Sequence, residues 1–568
     1  MPMYATRPTL YGARHAVSAG HYLAAAAGFA VLEAGGNAID AGCAAGMALG
    51  VLLPDLVNVA GVAPILIRKA DGTVETIAGL GPWPQSMPAD LFMRAHGGRI
   101  PAGVLRTVVP AAPDAWITAL ERHGTMGFAD VAHYAIRYAR DGFAVYPLLA
   151  DNIRDHVDEY ARWPGNAAIF LPGGRQPQAG ERFVQADLAR TLQYMADEEK
   201  KVAGQGRLAG LRAAHAAFYK GDIAREIAAF MAREGGYLTM ADLGAYRSRI
   251  EPAVRATWRG HEVLTCGPWC QGPALIEALL LMEKGGIGAL RHNSPAYLHL
   301  FVESIKAAMA DREYHFTDPA MSEVPLARLF SEAHLGARLA EISPDRALPG
   351  MPGPLFGPGV GQNDPAPRAT PLVEADTSYC AVVDAQGNAF SATPSDGSWS
   401  SPVVPGLGII PSNRGSQSRP DPSHPAGVAP GKRPRLTPNP AMLVTAEGGV
   451  MPFGTPGGDV QIQAMLQVLL NIHQFGMEVQ EAIEAPRVAS YSFPSSFAPF
   501  DFFPGRLAVE GAVPQATRDA LAAKGHEIRD WPERTWLAGT VEVVLSQPAK
   551  GLLAAGADPR RPAYAIVG

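Results

Sequence analysis

The sequence predicts an α+β protein in which helices cover two stacked sheets, and three observations point there. The chain has 568 residues, 47% hydrophobic and 18% charged, which suits two domains or one large layered core and excludes wholesale disorder. Helical patterns dominate to about residue 340. A later segment carries Thr377, Tyr379, Ala381 and Val383 on one face and Ser378, Cys380 and Val382 on the other. Neither face is strongly polar, so this strand is expected to be covered on both sides.

The elements follow in order. His21–Glu33 reads as a helix closed by Gly35-Gly36, and Asn37–Leu53 as a second one stopped by Pro54. Ala63–Arg68 and Thr73–Ile77 form a hairpin around Asp71-Gly72. In helix Pro295–Arg312, Glu303 and Lys306 stand at i, i+3. Between Pro344 and Pro371 eight prolines and five glycines interrupt any period, so about 344–376 is a linker. Strand Thr377–Val383, a turn at Asp384–Asn388 and the returning strand Ala389–Ser395 come next. A Pro-rich loop (411–440), strand Ala441–Thr445 and helix Val460–Phe475, with Ile462, Leu466, Leu469 and Leu470 in one stripe, complete the second part.

Composition removes several functions. Lys+Arg 48 against Asp+Glu 54 gives a net charge of −6, which offers neither nucleic acid nor an anionic membrane an electrostatic footprint. Cys43, Cys266, Cys270 and Cys380 are too few for a disulfide framework. Cys266 and Cys270 lack the second ligand pair of a zinc site; they are incidental thiols, or a bridge if the local turn brings them close. The histidines show no H-x-x-x-H or H-E-x-x-H arrangement and no glycine loop has a nucleotide-binding context, so no metal or cofactor is expected. The apolar stretch Ala41–Leu53 is too short to span a bilayer. The amino terminus has no basic segment followed by an apolar run, and a cytoplasmic location is expected.

Chemistry concentrates where the linker meets the covered strand. A cut between Asp376 and Thr377 would make Thr377 an amino terminus whose hydroxyl is the nucleophile and whose own amine, with an ordinary pKa of about 7.7–8.0, is the base. A threonine that merely begins a strand looks the same. Further on, Gly457-Gly458 precedes a helix, where backbone N–H groups can face a developing oxyanion; an ordinary glycine loop is the alternative. Asp459 could orient the glycine loop, but capping the following helix accounts for it fully. The aromatic segment Phe493–Phe503 either lines an acyl pocket or packs on itself.

Taken together and in this order, these segments resemble the γ-glutamyltranspeptidase family of N-terminal-nucleophile (Ntn) hydrolases. The matching stretches are A-G-F-A-V-L-E-A-G-G-N-A-I-D-A (27–41), E-S-I-K-A-A-M-A-D-R (303–312), T-S-Y-C-A-V-V-D-A-Q-G-N-A (377–389), P-G-K-R-P-R (430–435), G-T-P-G-G-D (454–459) and E-A-I-E-A-P-R (481–487). The resemblance implies a four-layer αββα sandwich and self-cleavage after Asp376. The large chain 1–376 and small chain 377–568 would then form a heterodimer. It also implies Thr377 as nucleophile, Ser395 as its hydroxyl neighbour, and Gly457 and Gly458 as the oxyanion hole.

The departures from the family are informative. Its Thr-Thr-His reads Thr377-Ser378-Tyr379 here, with Tyr379 beside the substrate; its common Asn after the returning strand is Gly397; and its Ser-Ser pair is Leu436-Thr437. Leu80 stands where the family's Arg grips the γ-glutamyl carboxylate, and Ser416 where an acidic residue holds the ammonium. Leaving a buried charge unpaired costs about 3–5 kcal/mol, so a γ-glutamyl zwitterion is a poor fit. Arg414, next to Asn413, is the replacement candidate for gripping a carboxylate, with a solvent-facing loop arginine as the alternative. The expectation is a self-processing amidohydrolase acting on a small-molecule amide of a non-γ-glutamyl acyl group, oxamate-like or otherwise acylated. A γ-glutamyl hydrolase or transferase acting on glutathione-type substrates, and an uncut, catalytically silent binding protein, are the alternatives.

Overall fold

The computed structural model describes residues 5–359 and 376–568; the remainder of the expected linker, 360–375, lies outside the described residues. Two seven-stranded antiparallel sheets form the centre. One runs Tyr564–Val567, Ala16–Ala19, Cys380–Val383, Ala389–Ala392, Ile65–Arg68, Val74–Ile77 and Ile250–Glu251. The other runs Leu10–Gly12, Leu552–Ala557, Glu542–Gln547, Val450–Gly454, Ala441–Val444, His261–Thr265 and Val254–Trp258.

Side-chain alternation explains the layers. On Cys380–Val383, paired with Ala389–Ala392 and Ala16–Ala19, Cys380 and Val382 point into a core shared with the first helices. Tyr379, Ala381 and Val383 point the other way, meeting Leu264, Met442 and Val544 of the facing sheet. A third core packs that facing sheet, through Val263, Leu443 and Phe453, against Gly272–Lys284, Pro295–His315 and Gln461–His473. The result is the expected αββα order, with the strand after residue 376 covered on both faces.

The helices begin where local chemistry satisfies their first N–H groups. The Asn37 side chain accepts from the Ile39 and Asp40 N–H groups at 2.9 and 3.1 Å, and Asp40 accepts in return from Asn37 N at 3.0 Å. Helix Ala38–Leu52, buried throughout, lies close on the sheet because Gly42 leaves room: a Cβ there would sit 2.1 Å from the Phe390 ring. Helix Pro295–His315 starts at Ser294 and buries the Glu303–Lys306 pair, 2.8 Å apart and 0% exposed on both side chains. All four cysteines are buried and free. No helix among the described residues is long and apolar enough to cross a membrane.

Several boundaries differ from the sequence expectation. The ladder begins at Cys380 rather than Thr377 and returns over Ala389–Ala392 rather than to Ser395. The freed ends form the site instead. The helix expected over Val460–Phe475 runs Gln461–His473, preceded by a 3₁₀ turn at Gly458–Val460, and two shorter helices, Val479–Glu484 and Gln515–Ala523, follow it.

Candidate active site

Thr377 is fully buried and has φ +96°, a strained conformation for a β-branched residue that costs about 1–3 kcal/mol. Two bonds hold it there: its N–H donates to Leu56 O at 3.0 Å, and its carbonyl accepts from Arg561 Nη1 at 3.1 Å. Thr377 Oγ1 lies 2.5 Å from Ser395 Oγ and donates to Asp376 Oδ1 at 3.1 Å. Ser395 is fixed beyond the end of its strand by reciprocal backbone bonds to Val62, at 3.0 and 3.2 Å.

Asp376 Oδ2 accepts from the Gly397 N–H at 2.9 Å and from Arg414 Nη2 at 2.6 Å. The same Nη2 donates to Ser395 Oγ. Arg414 opens a one-turn 3₁₀ helix, Arg414–Gln417, and is fully buried. The turn fits because residue 415 is glycine; a Cβ there would meet Arg106 O at 2.3 Å and the Trp83 ring at 2.4 Å. The Phe497 ring centroid lies 5.5 Å from the guanidinium carbon.

Asp396 was not legible as a site residue. It follows Ser395 with φ +129°, accepts from Ser412 Oγ at 2.5 Å and from Asn413 N at 3.2 Å, and lies 3.9 Å from Arg414 Nε. Burial pushes its carboxyl up to about 7; Arg414 and Ser412 oppose the rise and the nearby Asp376 charge adds to it. Asn413 is a bracing residue, its Nδ2 donating to Gly397 O at 2.7 Å.

Strand Val450–Gly454 delivers the glycine loop. Gly454 packs on Tyr379, and Gly457 and Gly458 take φ +122° and +58°, backbone states that favour glycine. Gln271 Nε2 donates to Gly458 O at 2.9 Å and to Thr437 O at 2.8 Å, while Gln417 Nε2 donates to Thr437 Oγ1 at 2.9 Å. These two glutamines connect the Arg414 turn, Thr437 and the glycine loop; they come from distant parts of the chain and carry no sequence signal. Asp459 does not cap the helix. It accepts from Ser496 N and Oγ at 2.7 and 2.5 Å, and Arg312 Nη2 donates to Ser496 Oγ at 2.7 Å. The segment bearing Phe497 is anchored this way. Of the other aromatics, Phe500 stacks on Arg419 and Phe503 on Arg506.

Thr377, Asp376, Ser395 and Arg414 therefore meet directly. Tyr379, expected beside the substrate, does not join them: it lies between the sheets with its hydroxyl 2.6 Å from Ser391 Oγ. A side chain on the inward face of the strand has no other direction to take. Leu80 is buried among Val62, Ala78, Trp269 and Leu436. Ser416 is buried in the Arg414–Gln417 turn, its carbonyl accepting from Ala498 N at 2.9 Å. Away from this site, two buried groupings among the described residues have metal-like composition, His299–Glu303–His526 and Glu277–Asp311–His334. Lys306 and Arg338 already supply cations to Glu303 and Asp311, at 2.8 and 2.9 Å.

Comparison with known proteins gives a consistent picture. The family model described as gamma-glutamyltranspeptidase matches residues 24–568. The acylase ACY 1 proenzyme of Pseudomonas sp. (strain V22) is 34% identical over 550 residues, covering 94% of this chain and 90% of its own. The oxamate amidohydrolase proenzyme of Klebsiella pneumoniae is 29% identical over 550 residues, covering 95% and 96%. The crystal structure of a cephalosporin acylase from Bacillus halodurans superposes with TM-score 0.84 at 29% identity, covering 100% of this chain and 98% of the other.

Proposed function

Since the chain belongs to the γ-glutamyltranspeptidase family of Ntn hydrolases, we propose that it cuts itself between Asp376 and Thr377 and then hydrolyses amides whose acyl group bears a carboxylate but is not γ-glutamyl. The freed Thr377 amine takes the proton from its own hydroxyl as Oγ1 attacks the amide carbonyl. Ser395 orients Oγ1, and the N–H groups of Gly457 and Gly458 receive the oxyanion. The amine product leaves, and water releases the acid from the acyl-threonine ester. Chains 1–376 and 377–568 stay together as a heterodimer.

One observation carries this reading: a fully buried guanidinium, Arg414, holds a carboxylate, Asp376, beside the nucleophile. Once Asp376 is cut free and departs, that cation loses its close ion-pair partner and keeps only the more distant Asp396, 3.9 Å away. A carboxylate on the substrate restores the pair. A γ-glutamyl ammonium finds no acid, since Ser416 stands in its place.

The test compares initial rates on monoamides of short dicarboxylic acids, on neutral amides of equal length and on glutathione, after a denaturing gel has verified two chains. The acidic amides are expected to be fastest. Arg414→Lys, which keeps the charge but loses the fork, should lower kcat/KM for them by about 100-fold, or about 3 kcal/mol. Fastest turnover of glutathione would restore a γ-glutamyl enzyme, and a single uncut band would restore a silent binding protein.

A further inference from the structure

In the uncut chain Thr377 has no free amine. Its nitrogen is an amide whose N–H donates to Leu56 O at 3.0 Å, so the base that serves the finished enzyme does not yet exist when the first cut is made. The hydrogen bonds around Oγ1 indicate what takes its place. Arg414 Nη2 can only donate, and it donates to Ser395 Oγ. If the Ser395 hydroxyl then donates to Thr377 Oγ1, the Thr377 hydroxyl donates to Asp376 Oδ1 at 3.1 Å. If instead Thr377 donates to Ser395, the Ser395 hydroxyl reaches the same Oδ1 at 3.4 Å. Both arrangements end on one acceptor.

We propose that the Asp376 side-chain carboxylate is the general base of self-cleavage, used once and then discarded with the end of the large chain. The proposal rests on the reading of Thr377 as the nucleophile. As Thr377 Oγ1 bonds to the Asp376 carbonyl carbon, its proton passes to Oδ1, directly or through Ser395. The C–N bond then breaks, and the carboxylic acid returns that proton to the departing nitrogen, which becomes the Thr377 amine. Water hydrolyses the resulting ester, regenerating the Thr377 hydroxyl and leaving Asp376 as a C-terminal carboxylate. The strained φ of Thr377 is relieved when the peptide bond opens. Arg414 keeps Asp376 oriented through Oδ2, leaving Oδ1 for the proton.

Among the described residues, the charged and titratable groups around Asp376 are Arg414, Asp396 and Arg561, and Arg561 in turn faces Asp55, Tyr146 and Glu542. The experiment follows conversion of purified full-length chain into two bands over time and across pH. Asp376→Asn, which keeps the shape but not the basicity, is expected to cut at least about 100-fold more slowly and to lose the wild-type pH dependence. Asp376→Ala, recovered folded as judged by its melting curve, is expected to cut faster when formate is added. Cleavage of Asp376→Asn within threefold of the wild-type rate, or no effect of formate on Asp376→Ala, overturns the proposal. Failure of the nucleophile reading looks different: Thr377→Ala would be cut, or the small chain would not begin T-S-Y-C.

Discussion

At Arg414, two carboxylates share one cation, and the two have different fates. Asp376 takes the short bond and, in the proposed cut, leaves with the large chain, whereas Asp396 stays, buried and pushed up to about 7. An acid whose folded pKa is raised gives the folded state a proton that the unfolded chain, titrating near 3.9, has already released. Its contribution is therefore fully present below about pH 4 and is lost as pH rises through about 7. In the uncut Thr377→Ala protein, which keeps Asp376 in place, thermal stability should fall between pH 5 and 8. Asp396→Asn on that background should flatten the fall, its Tm gaining on the parent as pH rises. A Tm difference independent of pH would assign the titration to another group.

Among the elements, the pairing of Cys380–Val383 and Val450–Gly454 across the two sheets sets the position of the glycine loop. Gly454 touches the Tyr379 ring, and a Cβ there would lie 2.3 Å from it, with no room to retreat. Gly454→Ala is expected to lower stability by about 1–3 kcal/mol, read from the urea midpoint, and to slow turnover in molecules that are cut, because residues 455–458 move with the strand. At this scale the sequence was most legible. Two-residue alternation puts Tyr379, Ala381 and Val383 on one face, as found. It also puts Thr377 there, which at φ +96° lies before the ladder and turns to Ser395 and Asp376. Helical spacing located the covering helices. The expectation at Tyr379 comes from its third position in the nucleophile motif, which does not say whether the side chain meets substrate or the facing sheet; here it meets the sheet. Asp396 escaped for a different reason: at positive φ the strand period no longer tells where a side chain points. Gln271 and Gln417 act through tertiary contacts that no local pattern encodes, and Asp459 has the look of a helix cap while bonding to Ser496.

For the whole molecule, the proposed cut at 376 does not divide the fold. Four strands of the sheet holding Cys380–Val383 come from the amino-terminal part and three from the carboxyl-terminal part; in the other sheet the numbers are three and four. Separating the two chains would strip neighbours from strands in both sheets and expose all three cores. The cut protein is therefore expected to elute as one species of full-length mass in size-exclusion chromatography with light scattering, and to come apart only in denaturant with a single cooperative transition. Elution of two folded fragments would contradict it. Burial of Thr377, 0% exposed while the chain is intact, has a practical consequence. On the proposed mechanism, an electrophilic inhibitor that esterifies the mature hydroxyl is expected not to reach it in the precursor, so stoichiometric labelling would serve as a census of matured molecules, and a preparation's specific activity could be normalised to that count instead of to total protein.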